Sequence, residues 1–277
     1  MERKRACRPS VAILGCGQLG RALACALSAH CDLHLFGRSG HEANEQLASR
    51  LPAASVHRTA TSALQQAEWL FFTCKPDQFD RLAHPLGADL HPYHKLVSWL
   101  ASRPCRELRQ SLPCPPPPLF RAMTSLCCRQ ARAPIALYGE APSAAQSTAL
   151  EELLMPMGPI HWIDEELFHG FTLLVASSPA LIATLLEAAV DSAVAMGFDY
   201  RIALDLLLET TASTTALLQQ EQLLPAQLKW QIASPSGVTI SALRALEAGG
   251  GRSALIEALL SGYEAAVART NLSGPSS

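Results

Sequence analysis

The chain has 277 residues, enough for two domains, with 49% hydrophobic and 17% charged residues and a formal net charge of −2. That balance excludes a disordered chain, offers no basic surface for nucleic acid and favours small neutral or acidic partners. The nine cysteines are scattered without a Cys-x-x-Cys pair, which argues against a disulfide framework or a zinc site and points to a reducing cytosol.

At the N-terminus, basic Met1–Arg8 precedes Ile13-Leu14-Gly15-Cys16, a superficial match to a lipoprotein cleavage site. The apolar run before Cys16 is only Val11–Leu14, short of the roughly 7–15 residues of a signal-peptide core. No membrane span is expected, because Arg201 and Asp205 interrupt the richest helical stretch before about 18 apolar residues accumulate. The expectation is a soluble, cytoplasmic protein with no membrane or nucleic-acid partner and no metal site.

Through about residue 165, short β-branched or aromatic runs alternate with helix-like segments, the grammar of βαβ units. Strands are predicted at Val11–Leu14, Asp32–Phe36, Trp69–Cys74, Lys95–Trp99, Leu119–Met123, Ile135–Tyr138 and Ile160–Ile163, with helices starting at Leu19, Ala43, Gln78, Arg106 and Ala144. The prolines of Pro113–Pro118 read as a rigid loop rather than a recognition motif. From Glu166 onward strand signals vanish. Ser178-Pro179 reads as an N-cap with a first-turn proline for a helix over Ala180–Met196, stopped by Gly197. Further helices are predicted over Arg201–Gln222, Val238–Ala248 and Arg252–Thr270, followed by a disordered tail, Asn271–Ser277. The apolar face of Ala180–Met196 covers more than one stripe, which predicts a homodimer or higher homo-oligomer. The fold class expected is α/β: a doubly wound, mostly parallel Rossmann domain over residues 1–165 and an all-α dimerisation domain over 166–277.

The strand Val11–Leu14 runs straight into Gly15-Cys16-Gly17-Gln18-Leu19-Gly20 and then a helical segment. In that context Gly15 makes the tight turn, Gly17 lets the backbone approach a pyrophosphate and Gly20 permits helix–strand packing, while the helix N-terminus supplies amide donors. The second strand ends in Leu35-Phe36-Gly37-Arg38-Ser39. An NAD site usually places an acid there, whereas Arg38 and Ser39 suit a 2′-phosphate, so NADPH is expected over NADH. The other reading of Arg38 is a solvated loop cation. Thr73-Cys74-Lys75-Pro76 ends the strand across the switch point and passes the nicotinamide ribose; Lys75 either touches substrate or sits in solvent.

A second candidate site is Ala233-Ser234-Pro235-Ser236-Gly237-Val238-Thr239, a small-residue loop entering a helix. The amides of Gly237, Val238 and Thr239 and the hydroxyls of Ser234, Ser236 and Thr239 suit a carboxylate, although a helix cap serving only stability reads the same way.

The glycine loop, Lys75-Pro76, Phe120-Arg121-Ala122-Met123-Thr124, Ala176-Ser177-Ser178-Pro179-Ala180 and Ser234–Gly251 stand in the order and spacing of pyrroline-5-carboxylate reductases, which the chain resembles over nearly its whole length. The resemblance implies that the Ser234–Thr239 loop grips a substrate carboxylate within a helical dimerisation domain, and that the Ser177 turn faces it across the cleft. It makes Thr239 and Ser177 the candidate catalytic residues. Thr239 would bond the substrate nitrogen or carboxylate while the protein holds donor and acceptor carbons at near-attack distance. Three pocket positions depart from the family pattern: Ser125 replaces an asparagine, Ser178 a glycine, and Ser236 the first glycine of the signature loop. The expected activity is reduction of pyrroline-5-carboxylate to proline. The alternatives are a reductase of another imine or oxo acid, or a nucleotide-binding protein without activity. His161, His169 and the adjacent Cys127 and Cys128 are read as surface, core or loop residues.

Overall fold

The computed structural model describes residues 8–37, 41–113 and 115–272. Eight strands form one sheet: β1 Ser10–Leu14, β2 Asp32–Phe36, β3 Ala54–Val56, β4 Trp69–Phe72, β5 Lys95–Ser98, β6 Leu119–Met123, β7 Ile135–Gly139 and β8 Ile160–Trp162. Their order is β3-β2-β1-β4-β5-β6-β7-β8, parallel throughout except where β7 meets β6 antiparallel. Alternation along the strands divides the core. Val11, Ile13, Leu33, Leu35, Phe71 and Val97 pack on one face of the sheet, while Ala12, Leu14, Leu70, Phe72 and Leu96 pack on the other. Both faces carry helices, so the central strands read as unbroken apolar runs.

The expected strands are present, and two short elements join them. β3 has three residues at the sheet edge, and the helix Ala60–Leu64 is capped by Thr59, whose hydroxyl accepts from the Ser62 amide at 3.1 Å. Pro115–Pro118 lead into β6 as a loop, with the Pro118 carbonyl accepting from Leu96 N at 2.9 Å.

The region after the sheet is helical, with three corrections. Ser178 does not start a helix. The chain turns helical at Phe168, passes through a π-helical stretch at Thr172–Ser177 and continues as Ser178–Ala195. A proline ring in an α-helix collides with the carbonyl four residues back; the wider turn just before Pro179 relieves that collision. Second, the helix Pro225–Ile232 is additional, with proline at its first turn and the Gln227 side chain accepting from Leu224 N at 2.8 Å. Third, the helical segment Glu165–Ala195 is long and apolar enough, by length and composition, to cross a membrane. Arg201 and Asp205 lie beyond it, and no Asp, Glu, Lys or Arg stands between Glu166 and Glu187. The last helix, Gly251–Leu272, takes in the first two residues of the expected tail; residues 273–277 lie outside those described.

The chain forms two compact units, one of the described residues through Ser177 together with those from Tyr263, the other of Ser178–Gly262. In the first, buried Arg121 on β6 donates to Glu165 Oε1 at 3.0 Å and stacks on Phe168, and Glu165 also accepts from Cys105 N at 2.7 Å. This pairing ties the sheet to the start of the long helix. In the second unit, the buried hydrophobic residues among those described are Val190, Ala203 and Leu228, while Met196, Trp230 and Val238 are at least 76% exposed.

Candidate active site

Strand order reverses at β1, so the crevice above the carboxyl ends of β1, β2 and β4 is where an open α/β sheet binds its ligand. The loop after β1 is built by backbone demands. Gly15 has φ +128°, and a Cβ there would come within 2.6 Å of Cys74 N. A Cβ on Gly20 would fall on the Gly15 carbonyl, so the helix Gln18–Leu27 can sit this close only with glycine. Thr73 Oγ1 donates to that carbonyl at 2.6 Å, the Gly15 amide donates to Phe36 O at 2.8 Å, and Arg21 Nε donates to Cys16 O at 3.1 Å. The loop is thus fixed from both neighbouring strands before any ligand arrives.

Gly17 differs from the other two. Nothing lies within 4 Å of the position its Cβ would take, and no side chain caps the helix that follows. The amides at this terminus are open to an anionic ligand, and the helix dipole favours one. The cavity above has a volume of about 780 Å³, of the size that holds a cofactor. A dinucleotide fits these donors. Gly15, Cys16, Gly17, Cys74 and Lys75 all line the cavity, as do Phe36, Gly37, Gln78, Arg81 and Leu82. Gly20 and partly buried Leu19 support the loop from below, and exposed Gln18 opens the helix. Arg38 and Ser39 lie outside the described residues.

Neither thiol at the cavity is suited to reaction. Burial pushes Cys16 and Cys74 up to about 11, so both are protonated at neutral pH. Lys75 is exposed and precedes the short turn Pro76–Gln78, whose Pro76 carbonyl accepts from Arg103 at 3.2 Å. Among the described residues, no acidic residue lines the cavity.

In the helical unit, the signature loop ends at Gly237, the N-cap of the helix Val238–Ala248, and no side chain caps that terminus. The Gly237 amide donates to Ser234 O at 3.1 Å, and a Cβ on Gly237 would strike the Ser234 hydroxyl. Ser236 takes the left-handed conformation, φ +60°, in which a side chain is strained. Ser234, Ser236 and Val238 are exposed and Thr239 is half-buried, so the structure gathers the predicted carboxylate-binding groups on one accessible helix end. Ser177 belongs to the other unit, exposed at the end of the π-helical stretch. Ser125 is buried, with its hydroxyl accepting from Cys127 N at 3.3 Å.

The histidines and cysteines set aside on sequence have ordinary roles. His161 is exposed on β8, and His169 shares a hydrogen bond with Thr270 at 3.3 Å. Cys127 and Cys128 are free thiols in a short turn. Sequence reasoning missed Arg81. Its signal was helical spacing: Gln78, Arg81 and Leu82 stand at i, i+3 and i+4 after Lys75, on one side of a helix.

Sheet order, glycine loop and cavity define a dinucleotide-binding Rossmann protein carrying an appended helical region. The comparisons with known proteins narrow that class. A profile described as NADP oxidoreductase coenzyme F420-dependent matches residues 10–102, and one described as pyrroline-5-carboxylate reductase dimerisation matches residues 165–269. The human pyrroline-5-carboxylate reductase 2 is 31% identical over 257 residues, 90% of this chain and 80% of the relative. The Pseudomonas aeruginosa pyrroline-5-carboxylate reductase is 27% identical, over 91% of this chain and 93% of the relative. Among solved structures, the Streptococcus pyogenes 1-pyrroline-5-carboxylate reductase superposes with a TM-score of 0.84 at 25% identity, covering 93% of this chain and 97% of the other. A Plasmodium falciparum pyrroline carboxylate reductase with NADP bound shares the fold, with a TM-score of 0.82 at 18% identity over 98% and 99% of the two chains. The chain belongs to the pyrroline-5-carboxylate reductase family, whose members are NAD(P)H-dependent oxidoreductases acting on a carbon–nitrogen bond. The match to the dimerisation profile gives the helical region its role in self-association.

Proposed function

We propose that this protein reduces a cyclic imine acid with NADPH, converting pyrroline-5-carboxylate to proline. The observation that carries the proposal is the open Gly17 helix end above the switch point, in a chain that also keeps the family's Ser234–Thr239 loop on an uncapped helix. NADPH, when bound, would supply the hydride. The loop from Gly15 to Gly20 would hold its pyrophosphate, Arg38 and Ser39 would hold its 2′-phosphate, and the turn Cys74-Lys75-Pro76 would border the nicotinamide ribose. The substrate's ring nitrogen is already protonated, which makes the adjacent carbon electrophilic; that carbon gains the hydride, and the product is the saturated amino acid.

The protein's work is then binding and aim. The amides of Gly237 and Val238, with the hydroxyls of Ser234 and Ser236, hold the carboxylate, and Thr239 bonds the nitrogen or the carboxylate. For Ser177 the family resemblance implies a catalytic role as well. In this reading residues 1–165 form the cofactor domain and residues 166–277 the domain for substrate and dimerisation. The apolar face of Glu165–Ala195 packs on a second copy rather than in lipid, and unpaired cysteines throughout the described residues suit a reducing cytoplasm.

Ser236 favours one second reading. It places a side chain, in left-handed geometry, where the family has glycine, and this could reshape the pocket for another imine or oxo acid. Thr239→Ala tests the site: it should lower kcat/KM by about 10- to 100-fold, as loss of a hydrogen bond to a charged group does, with the affinity for NADPH unchanged. Unaltered turnover would remove Thr239 from the site.

A further inference from the structure

The glycine loop accounts for one side of the cofactor cavity and leaves another unexplained. That wall is the helix Phe79–Leu86, which contributes Arg81 and Leu82 to the lining shared with Phe36 and Gly37. Arg81 is exposed and has no hydrogen bond or ion pair among the described residues. The adjacent acid is engaged elsewhere: Asp80 accepts from Arg103 Nη1 at 2.9 Å and from Ser111 Oγ at 2.5 Å. Arg81, a guanidinium unpaired among the described residues, therefore borders a cavity that Phe36 and Leu82 also line and whose described lining holds no acid.

The order of groups along a dinucleotide decides what meets it. The pyrophosphate belongs on the Gly17 amides and the adenosine ribose at the end of β2, where Gly37 stands. The base, one bond beyond the ribose, lies past Gly37 in the same cavity, whose lining includes Phe36, Arg81 and Leu82. We infer that Arg81 is a cofactor-binding residue that lays its guanidinium plane on the adenine ring, with Leu82 and Phe36 closing the slot. Guanidinium planes stack on nucleobases by charge attraction to the ring and by dispersion. The contact is to the base that NADPH and NADH share, so Arg81 sets affinity for the adenine half, whereas the choice between the two cofactors falls to the loop after β2. This inference rests on the cavity being the dinucleotide site.

Equilibrium titration of the full chain and of Arg81→Ala with NADPH, NADH and 5′-AMP tests it, with thermal unfolding as a check that the exposed substitution leaves the fold intact. Loss of an exposed contact of this kind should raise all three dissociation constants by a common factor of about two to five. Three unchanged constants would overturn the inference. So would a loss confined to NADPH, which would put Arg81 on the 2′-phosphate instead. If the unsubstituted protein binds none of the three nucleotides, the dinucleotide reading itself fails, a result separate from failure of the variant alone.

Discussion

The sheet-bearing unit and the helical unit use apolar residues in opposite ways. In the first, β1, β4 and β6 are buried almost throughout and two aromatic-rich cores flank the sheet. In the second, Ile182, Leu185, Ile202, Leu206 and Leu208 are 47–55% exposed, and the described residues bury only Val190, Ala203 and Leu228 among the hydrophobics. A soluble surface rarely leaves so much apolar area open unless something covers it. The first unit therefore buries its apolar residues around its own core, and the second leaves apolar surface of the kind self-association covers.

Leu185→Asp should have the largest effect of the substitutions considered. On a free surface this substitution would change stability by no more than about 0.5 kcal/mol, but in an interface it puts an unpaired charge where water is excluded. The expected outcome is loss of the homo-oligomer in sedimentation velocity, with the sheet unit still folded by near-ultraviolet dichroism. An unchanged oligomer would mean that this face of the helix is not the interface.

Glu165→Ala strikes the first unit from within. It leaves Arg121 buried without its counter-ion, and since the Glu165 side chain is 21% exposed the cost should sit near the low end for such pairs, about 3 kcal/mol, read from the denaturant midpoint.

A smaller effect belongs to the edge of the sheet. His34 Nδ1 and His57 Nε2 are 3.0 Å apart and share one proton, while His57 Nδ1 meets Ser62 Oγ at 3.2 Å. Burial lowers both histidines below their ordinary value of 6.5, and for His34 the neighbouring His57 adds to the shift. The folded state then binds protons less readily than the unfolded one, so this contribution is complete above pH 6.5 and is lost as the pH falls through the lowered values. Melting temperature should decline on that side, and His57→Asn should flatten the decline.

The smallest change is Ser236→Gly, which removes left-handed strain and should alter stability by no more than about 1 kcal/mol, in the stabilising direction, by thermal melt.

How legible these features were in the sequence follows from the same contrast. The strands through the middle of the sheet announce themselves because burial on both faces demands an apolar run, whereas β3 is three residues at an edge and carries no such pattern. The glycine loop could be read because backbone geometry admits no other residue at Gly15 or Gly20. Ser178-Pro179 misled because a local start signal cannot reveal that the preceding turn widens to take the proline. Arg81 was hidden for another reason: a cation inside a helix becomes part of a pocket only once the orientation of that helix is known.

The proposed reduction is tested most directly by following NADPH and proline together when the purified protein is given pyrroline-5-carboxylate. One NADPH should be oxidised for each proline formed, with NADH a poorer donor. Binding of NADPH without its oxidation, by this substrate and by a panel of other imine and oxo acids, would contradict the proposal and leave a nucleotide-binding protein on a reductase scaffold.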